Sequence, residues 1–200
     1  MPNETLAVID TGSANLASVL GAVRRLGVAV ASTRDPDVVR RADRVVLPGV
    51  GAFGNVMQRL AGGGLVDATR ERVESGRPLL AVCLGLQVLA TDSEESPGVA
   101  GLGVLRARVC RFPDTVPVPQ LGWNLVEPVP GSALVQPGYA YFANAYHLGG
   151  AADGWVAAWA THGVRFVAAL ERGPQLACQF HPELSGAWGA ALLRRWMDAC

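Results

Sequence analysis

Cys83 is the residue whose sequence setting most favours covalent chemistry. It follows the uninterrupted apolar segment Pro78–Val82, which predicts a buried β-strand, and it precedes a short predicted helix that begins at Leu84. Its small neighbours, Ala81 and Gly85, permit the sharp strand-to-helix turn of a nucleophile elbow. In such a turn the helix dipole favours the thiolate, and the N–H of Leu84 can donate to an oxyanion. A buried structural cysteine is the competing interpretation.

His181 is the candidate base for this thiol. It follows the predicted strand Leu176–Phe180, and Pro182 keeps the backbone extended at that point. Side chains two residues apart in an extended chain point the same way, so Glu183 can accept a hydrogen bond from the imidazole and fix its tautomer. A histidine held in this way can take the proton of Cys83 and complete a set of nucleophile, base and orienter. Because the two segments are far apart in the sequence, only the fold can bring them together.

The other cysteines and histidines show no spacing typical of a metal site. Cys110, Cys178 and Cys200 are widely separated and no Cys-x-x-Cys pair occurs, which favours a reducing compartment over a disulfide framework. His147 follows an aromatic strand and is expected in a loop or at a rim, and His162 is expected in a turn. We therefore expect neither a metal nor a cofactor.

The composition predicts one globular domain that spans residues 1–200. Half of the residues are hydrophobic and 17% are charged, which excludes a disordered chain. Lys and Arg together number 17, as do Asp and Glu, so the sequence lacks the basic surplus that nucleic-acid binding requires. The apolar runs fall short of the roughly 20 residues that cross a bilayer, and the first residues do not resemble a secretory signal. We expect a cytoplasmic protein that binds neither nucleic acid nor membrane.

Apolar strands alternate with helices in the first half of the chain. This alternation predicts a parallel sheet covered on both faces, in which ligands bind beyond the carboxyl ends of the strands. The expected strands are Thr5–Ile9, Val28–Ala31, Arg44–Leu47 and Pro78–Val82, and the expected helices are Ala14–Leu26, Asp35–Arg41 and Leu65–Glu74.

The second half of the chain contains short strands separated by turn residues. This pattern predicts an antiparallel extension of the same sheet. Strands are expected at Val104–Phe112, Trp123–Glu127, Tyr139–Ala143, Val156–Ala160, Phe166–Glu171 and Leu176–Phe180, and a final helix at Gly186–Met197.

Two segments together resemble the class-I, triad-type glutamine amidotransferases. They are the Cys83 segment Ala81–Gln87 and the His181 segment Gln179–Glu183. Within that class, further segments are similar to the glutaminase subunits of imidazole glycerol phosphate synthases, and together they extend over nearly the whole chain. These segments are Asp10–Leu16, Leu47–Phe53, Ser93–Glu95, Leu121–Asn124 and Tyr141-Phe142.

The resemblance implies a flavodoxin-like three-layer α/β/α sandwich that hydrolyses glutamine to glutamate and ammonia. Cys83 would form a glutamyl thioester, with His181 as acid and base and Glu183 as its orienter. In the family, the ammonia passes through a shielded route to a (β/α)8-barrel cyclase, which makes imidazole glycerol phosphate and an aminoimidazole carboxamide ribotide in histidine biosynthesis. A heterodimer with such a cyclase is therefore expected.

The resemblance also implies roles for residues around the triad. The glycine-rich turn at Val50 and Gly51 would supply a second oxyanion donor beside Leu84, after a peptide flip coupled to the partner's ligand, whereas an ordinary strand-to-helix turn is the alternative. A solvated acidic loop is the alternative for Glu95, and a core position is the alternative for Trp123. The residues expected to bind glutamine are Gln87, Glu95, Asn144, Ala145 and Tyr146, and those expected to face the cyclase are Asn15, Trp123, Asn124, Tyr141 and Leu184.

At several positions the sequence departs from the family pattern, so more than one function is compatible with it. Thr11, Ala14 and Ala81 stand where the family usually has Tyr, Gly and Gly, Asn144-Ala145 replaces His-Ser, and Leu184 replaces a Lys that could pair with the cyclase. These changes surround the triad without removing it. The alternatives are a glutaminase subunit of another ammonia-using synthase and a catalytically silent regulatory paralogue.

Overall fold

The described residues form a nine-stranded sheet as the middle layer of the fold. The computed structural model describes residues 5–12, 16–24, 27–150 and 152–200, with residues 16–18 described by their backbone only. The parallel strands of this large sheet, in the described residues, are β1 (Leu6–Ile9), β2 (Val30–Thr33), β3 (Arg44–Gly49), β4 (Leu79–Cys83) and β12 (Gln175–Cys178). Their spatial order, β2-β1-β3-β4-β12, is flavodoxin-like, and it sets the carboxyl ends of β3 and β4 side by side.

An antiparallel region continues the sheet from β12. The strand β11 (Val164–Arg172) pairs with β12, and β10 (Val156–His162), β7 (Gln120–Pro128) and β8 (Gly138–Asn144) follow in that order. A smaller sheet contains β5 (Asp92–Ser93), β6 (Arg108–Arg111) and β9 (Tyr146–Leu148).

Helices cover both faces of the large sheet. One face carries α2 (Pro36–Arg41), α3 (Phe53–Ala61), α4 (Leu65–Glu74) and α5 (Leu84–Gln87), and the other carries α1 (Leu16–Arg24) and α6 (Gly186–Asp198). Side chains alternate between the two cores along each strand, so that Ile9 joins the first core and Val8 joins the second. The predicted three-layer α/β/α sandwich with an antiparallel extension is confirmed.

The predicted strand Val104–Phe112 is wrong in its first half, because β6 begins only at Arg108. The residues before it wrap around the end of α5 instead. There the N–H groups of Leu102 and Leu105 donate to the carbonyls of Val88 and Leu89 at 2.8 and 2.9 Å. Backbone groups that are paired in this way are not available to a β-ladder.

Helix α3 is not among the elements expected from the sequence. Its buried residues Phe53, Val56, Met57 and Leu60 follow helical spacing, but Ala52 at the N-cap has no polar side chain to cap the first turn. The usual sequence signal for the start of a helix is therefore missing.

His147 lies in β9 and is buried, so its expected place in a loop or at a rim is wrong. Its ring packs on that of Phe112 with the centroids 4.6 Å apart, and its Nδ1 lies 3.1 Å from the carbonyl oxygen of Leu148. Burial lowers the pKa of His147, and the hydrogen bond with Leu148 partly opposes this effect. This histidine is therefore a core residue.

Smaller differences affect the ends of elements. The strand expected at Val28–Ala31 is observed at Val30–Thr33, and the one expected at Leu176–Phe180 ends at Cys178. Both ends of the predicted helix Ala14–Leu26 lie outside the described residues. Among the helices that the structure describes, none combines the length and the hydrophobicity needed to cross a membrane.

Candidate active site

Cys83 occupies a strained turn between β4 and α5. Its backbone angles, φ 54° and ψ −111°, make it the one non-glycine residue with a positive φ in the described chain. A Cβ on Gly49 would lie 2.7 Å from the backbone nitrogen of Gly85, and a Cβ on Gly85 would overlap the carbonyl oxygen of Leu47. Glycine at both positions lets β3 approach the turn closely, so the structure has the geometry of a nucleophile elbow.

His181 is held in an extended conformation beyond the end of β12, with φ −100° and ψ 96°. Its backbone N–H donates to the carbonyl oxygen of Tyr141 in β8 at 2.9 Å. The hydroxyl of Ser185 donates to the carbonyl oxygen of His181 at 2.6 Å and accepts from the N–H of Tyr141 at 2.9 Å. The position of His181 therefore depends on hydrogen bonds with β8 and with Ser185, and not on the strand β12 that precedes it.

The imidazole of His181 lies between an acid and the thiol. Its Nδ1 is 2.8 Å from Oε1 of Glu183, both side chains are almost fully buried, and a second hydrogen bond joins the ring to the side chain of Cys83. Burial on its own disfavours the charged ring. The hydrogen bonds to Cys83 and Glu183 outweigh it and raise the pKa of His181 to about 10. This direction favours the protonated, imidazolium form of His181 at neutral pH.

A cavity of about 320 Å³ opens beside Cys83, and this size is within the range of small-molecule sites. Its wall brings together every residue expected to form the oxyanion hole or to bind glutamine, and it adds Ala143. The lining residues are Val50, Gly51, Cys83, Leu84, Gln87, Glu95, Ala143, Asn144, Ala145, Tyr146 and His181.

Three side-chain amides form a connected network at this wall. Gln87 Nε2 and Asn144 Nδ2 each donate to the carbonyl oxygen of Tyr146 at 2.9 Å, and Gln87 Nε2 also donates to Oε1 of Gln179 at 2.9 Å. Gln179 Nε2 lies 3.6 Å from Sγ of Cys83. No role for Gln179 is expected from the sequence, although a polar residue directly after the apolar residues Leu176–Cys178 is an available signal.

Glu95 and Ser96 cap α3 from a distant loop. Oε2 of Glu95 accepts from the N–H of Phe53 at 2.6 Å, and Oγ of Ser96 accepts from the N–H of Gly54 at 3.0 Å. These contacts supply the cap that Ala52 cannot give. Glu95 is thus tied to the segment that follows Val50 and Gly51, while it also lines the cavity.

Four of the residues expected to face a partner lie on or near β7 and β8, the last two strands of the antiparallel region. Trp123 and Leu184 are exposed by 56% and 45%, and Tyr141 packs edge-on against Trp123 with the ring centroids 6.2 Å apart. Asn124 is half-buried and donates from Nδ2 to the carbonyl oxygen of Thr161 at 2.8 Å. Asn15 lies outside the described residues.

The described cysteine, histidine and acidic side chains are the candidate donors for a metal site. None of the four cysteines forms a disulfide. No group of three or more His, Cys, Asp and Glu side chains that could hold a metal ion occurs in the part of the chain that the structure describes.

Comparisons with known proteins agree with this geometry. The family model of the class-I glutamine amidotransferases matches residues 7–199. The imidazole glycerol phosphate synthase subunit HisH of Symbiobacterium thermophilum is 43% identical over 195 residues, which cover 96% of this chain and 92% of the relative. The subunit of the same name from Methanothermobacter thermautotrophicus is 42% identical over 96% of this chain and 98% of its own.

Solved structures support the same fold. A crystal structure of a glutamine amidotransferase is similar with a TM-score of 0.75, at 23% identity and 97% coverage of each chain. The structure of PurLQS from Thermotoga maritima is similar with a TM-score of 0.76, at 14% identity and 98% coverage of each chain. The chain therefore belongs to the class-I glutamine amidotransferases, and within them to the family of imidazole glycerol phosphate synthase subunits HisH.

Proposed function

We propose that this chain hydrolyses glutamine to glutamate and ammonia at Cys83 and delivers the ammonia to a cyclase subunit. The observation that carries the proposal is the double hydrogen bonding of His181, to Cys83 on one side and to Glu183 on the other, beside a small cavity. Nucleophile, base and orienter in this order are what acyl transfer requires. Membership of the amidotransferase family supports an amide as the substrate.

The first half-reaction forms a thioester. The Cys83 thiolate attacks the side-chain carboxamide carbon of glutamine, and the carbonyl oxygen becomes an oxyanion that accepts from the N–H of Leu84 and from a second N–H at Val50 or Gly51. The imidazolium of His181 gives its proton to the amide nitrogen. The C–N bond then breaks, and ammonia leaves behind a glutamyl thioester.

The second half-reaction returns the enzyme to its starting state. His181, now neutral, takes a proton from water, and the resulting hydroxide attacks the thioester carbon. The C–S bond breaks, glutamate leaves, and thiolate and imidazolium are restored. Glu183 keeps Nδ1 protonated throughout, so that Nε2 can serve the sulfur and the water.

In this proposal glutamine is bound by two groups of residues in the cavity wall: Glu95 with Gln87, and the segment from Asn144 to Tyr146. The carboxylate of Glu95 is suited to the α-ammonium group, and Gln87 lies beside it. Asn144 is buried and its Nδ2 is already bonded to the carbonyl oxygen of Tyr146. We infer that the segment from Asn144 to Tyr146 contacts glutamine through its backbone, so the change from His-Ser to Asn144-Ala145 leaves substrate binding intact.

The exposed face of β7 and β8 is the proposed docking site for the cyclase, which the family resemblance describes as a (β/α)8 barrel. Leu121 and Tyr139 are exposed by 68% and 60% on these strands, next to the expected contacts Trp123 and Leu184. An apolar patch of this kind typically marks an interaction surface. Tyr141 lies opposite Trp123 on the two strands, and its carbonyl oxygen accepts a hydrogen bond from the backbone N–H of His181. Docking on this face can therefore change the position of His181.

We further propose that residues 1–200 act as one amidotransferase domain in the cytoplasm. The family match over residues 7–199 supports the single domain. The lack of a disulfide among the four cysteines is consistent with a reducing compartment.

The test compares Cys83→Ser with a matched control, Cys110→Ser, which changes a half-buried thiol outside the cavity. Ammonia release is measured for the chain alone, with the cognate cyclase, and with the cyclase and its nucleotide ligand. Cys83→Ser should lose about 10⁴-fold or more of the glutamine-dependent rate, while synthesis from added ammonia should persist. The control should match the wild type.

Two results would contradict the proposal at different levels. A Cys83→Ser variant that releases ammonia at the wild-type rate would remove the thiol from the reaction. A wild-type chain that gains nothing from the cyclase and its ligand would leave the chemistry intact and point to a different ammonia-using synthase.

A further inference from the structure

Gln179 is a fully buried amide that touches the nucleophile and has no part in the reaction described above. Its Nε2 donates to Sγ of Cys83 at 3.6 Å, and its Oε1 accepts from Nε2 of Gln87 at 2.9 Å. Its backbone N–H donates to the carbonyl oxygen of Ala168 at 2.8 Å, which fixes the residue beside the sheet. The side chain therefore links the cavity wall to the sulfur.

The orientation of this amide follows from its neighbours. Gln87 Nε2 also donates to the carbonyl oxygen of Tyr146 at 2.9 Å, and a carbonyl oxygen can only accept. The NH₂ end of Gln87 must therefore face both Tyr146 and Gln179. Gln179 then has to present its oxygen to Gln87, which leaves its NH₂ end directed at Cys83.

We propose that Gln179 is a positioning residue that donates a hydrogen bond to the Cys83 thiolate and fixes the direction of its sulfur. The proposal rests on the function proposed above. A donor stabilises a thiolate more strongly than a neutral thiol, because a hydrogen bond to a charged acceptor is the stronger one. Together with His181, Gln179 gives the sulfur two side-chain donors.

The donor serves both halves of the reaction, since the thiolate attacks in the first and leaves in the second. Removing it should shift the reactivity of Cys83 to higher pH without changing the rate reached when the sulfur is fully ionised. A residue that merely filled space would instead alter the rate at every pH.

The test is the pH dependence of Cys83 alkylation by iodoacetamide, followed at the Cys83 peptide by mass spectrometry in the full-length chain. Gln179→Met keeps the length and unbranched shape of the side chain and removes the donor. Gln175→Met is the matched control, because Gln175 lies in β12, is equally buried, and bonds the carbonyl oxygens of Val73 and Arg77 away from the cavity.

Gln179→Met should raise the pH midpoint of alkylation by about one unit, so that alkylation below the midpoint is about tenfold slower. The plateau rate at high pH should stay within about twofold of the wild-type rate. Gln175→Met should keep the wild-type midpoint. Equal midpoints for Gln179→Met and the wild type would overturn the proposal, as would an equal shift in both variants.

A second variant keeps the proposal falsifiable if Gln179→Met does not fold. Gln87→Met leaves Gln179 in place and removes the bond that orients its amide, so a smaller rise in the midpoint is expected, and no rise would overturn the proposal. The wild-type chain separates this test from the proposed function. If it releases ammonia and the midpoints agree, only the role of Gln179 fails; if it releases none with the cyclase present, the proposed function fails first.

Discussion

The proposed nucleophile, Cys83, and its proposed base, His181, come from regions of the molecule that are built by different means. Cys83 ends β4, which lies between β3 and β12 in the parallel half of the sheet, and its turn is shaped by the close backbone approach at Gly49 and Gly85. His181 lies beyond the end of its strand and is held by hydrogen bonds with Tyr141 and Ser185. Steric contact shapes the first region, and a few polar contacts shape the second.

This difference indicates which half of the site a partner can influence. The turn of Cys83 is enclosed by packed backbone and can change little without a change in the core. His181 is anchored to β8, in which Tyr139 is exposed, and Trp123 is exposed in the neighbouring strand β7. A protein that docks on β7 and β8 can therefore adjust the base while the nucleophile stays in place.

Among the substitutions that test this contrast between the two regions, the largest effect is expected for one beside His181 that keeps the shape of the side chain. Glu183→Gln keeps a hydrogen-bond acceptor for His181 and removes the negative charge. We expect glutamine hydrolysis at pH 7 to fall roughly 10³-fold, because the imidazolium loses its buried counter-charge. Glu171→Gln is the control, since Glu171 is a buried acid bonded to the N–H groups of Ala133 and Leu134; it should affect stability and leave catalysis near the wild-type level.

The same substitution has a pH signature that NMR of the His181 ring can measure. The pKa of His181 is raised to about 10 in the folded chain from an ordinary 6.5, so its contribution to stability is complete below about pH 6.5 and is lost as the pH rises through about 10. Glu183→Gln should lower the pKa of His181, so that this contribution to stability is lost at a lower pH. An unchanged titration of the ring would mean that Glu183 does not act through its charge.

The elbow region could be predicted from the sequence because its signals are local. An apolar strand, a cysteine and a glycine follow one another within Leu79–Gly85, and the strand needs no partner to be identified. The alternation of strands and helices is also a local signal, and it predicts a sheet with helices on both faces. The helix α3 was missed because its cap comes from Glu95 and Ser96, 42 residues further along the chain.

The local hydrogen bond between Glu183 and His181 could be predicted, but the other polar contacts around the site could not, since they depend on which strands become neighbours. Gln179 reaches Cys83 only because β12 pairs with β4 in the register that sets Cys178 beside Val82. Ser185 reaches Tyr141 only because β8 lies at the edge of the antiparallel region. No periodicity within either segment carries this information.

Gly85→Ala tests whether the turn at Cys83 is shaped by steric contact. Gly85→Ala places a methyl group against the carbonyl oxygen of Leu47, a backbone atom that cannot rotate away. We expect a loss of about 3 kcal/mol in the free energy of unfolding, together with loss of Cys83 reactivity. Denaturant unfolding and iodoacetamide labelling measure the two effects.

Gly62→Ala is the matched control, because a Cβ there meets nothing within 4 Å and φ is negative at −75°. It should change the free energy of unfolding by less than about 0.5 kcal/mol. If Gly85→Ala behaved like this control, close packing of β3 on the turn would not be what shapes the elbow.

The smallest expected effect probes the polar contacts of the base. Ser185→Ala removes the hydroxyl that joins the carbonyl oxygen of His181 to the N–H of Tyr141. The free energy of unfolding should fall by about 1.5 kcal/mol, and kcat for glutamine about tenfold. KM should stay constant, because Gln87 and Glu95 lie on another part of the cavity wall. Steady-state kinetics with and without the cyclase measure both constants.

Ser132→Ala is the control, since Ser132 also donates to a backbone carbonyl, that of Val135, but lies away from the cavity. It should leave kcat unchanged. A cyclase docked on β7 and β8 would immobilise Tyr141, so the kcat defect of Ser185→Ala should shrink in the complex. A defect confined to KM, or one that the cyclase leaves undiminished, would mean that the base is not anchored through β8, and the contrast between the two halves of the site would then fail.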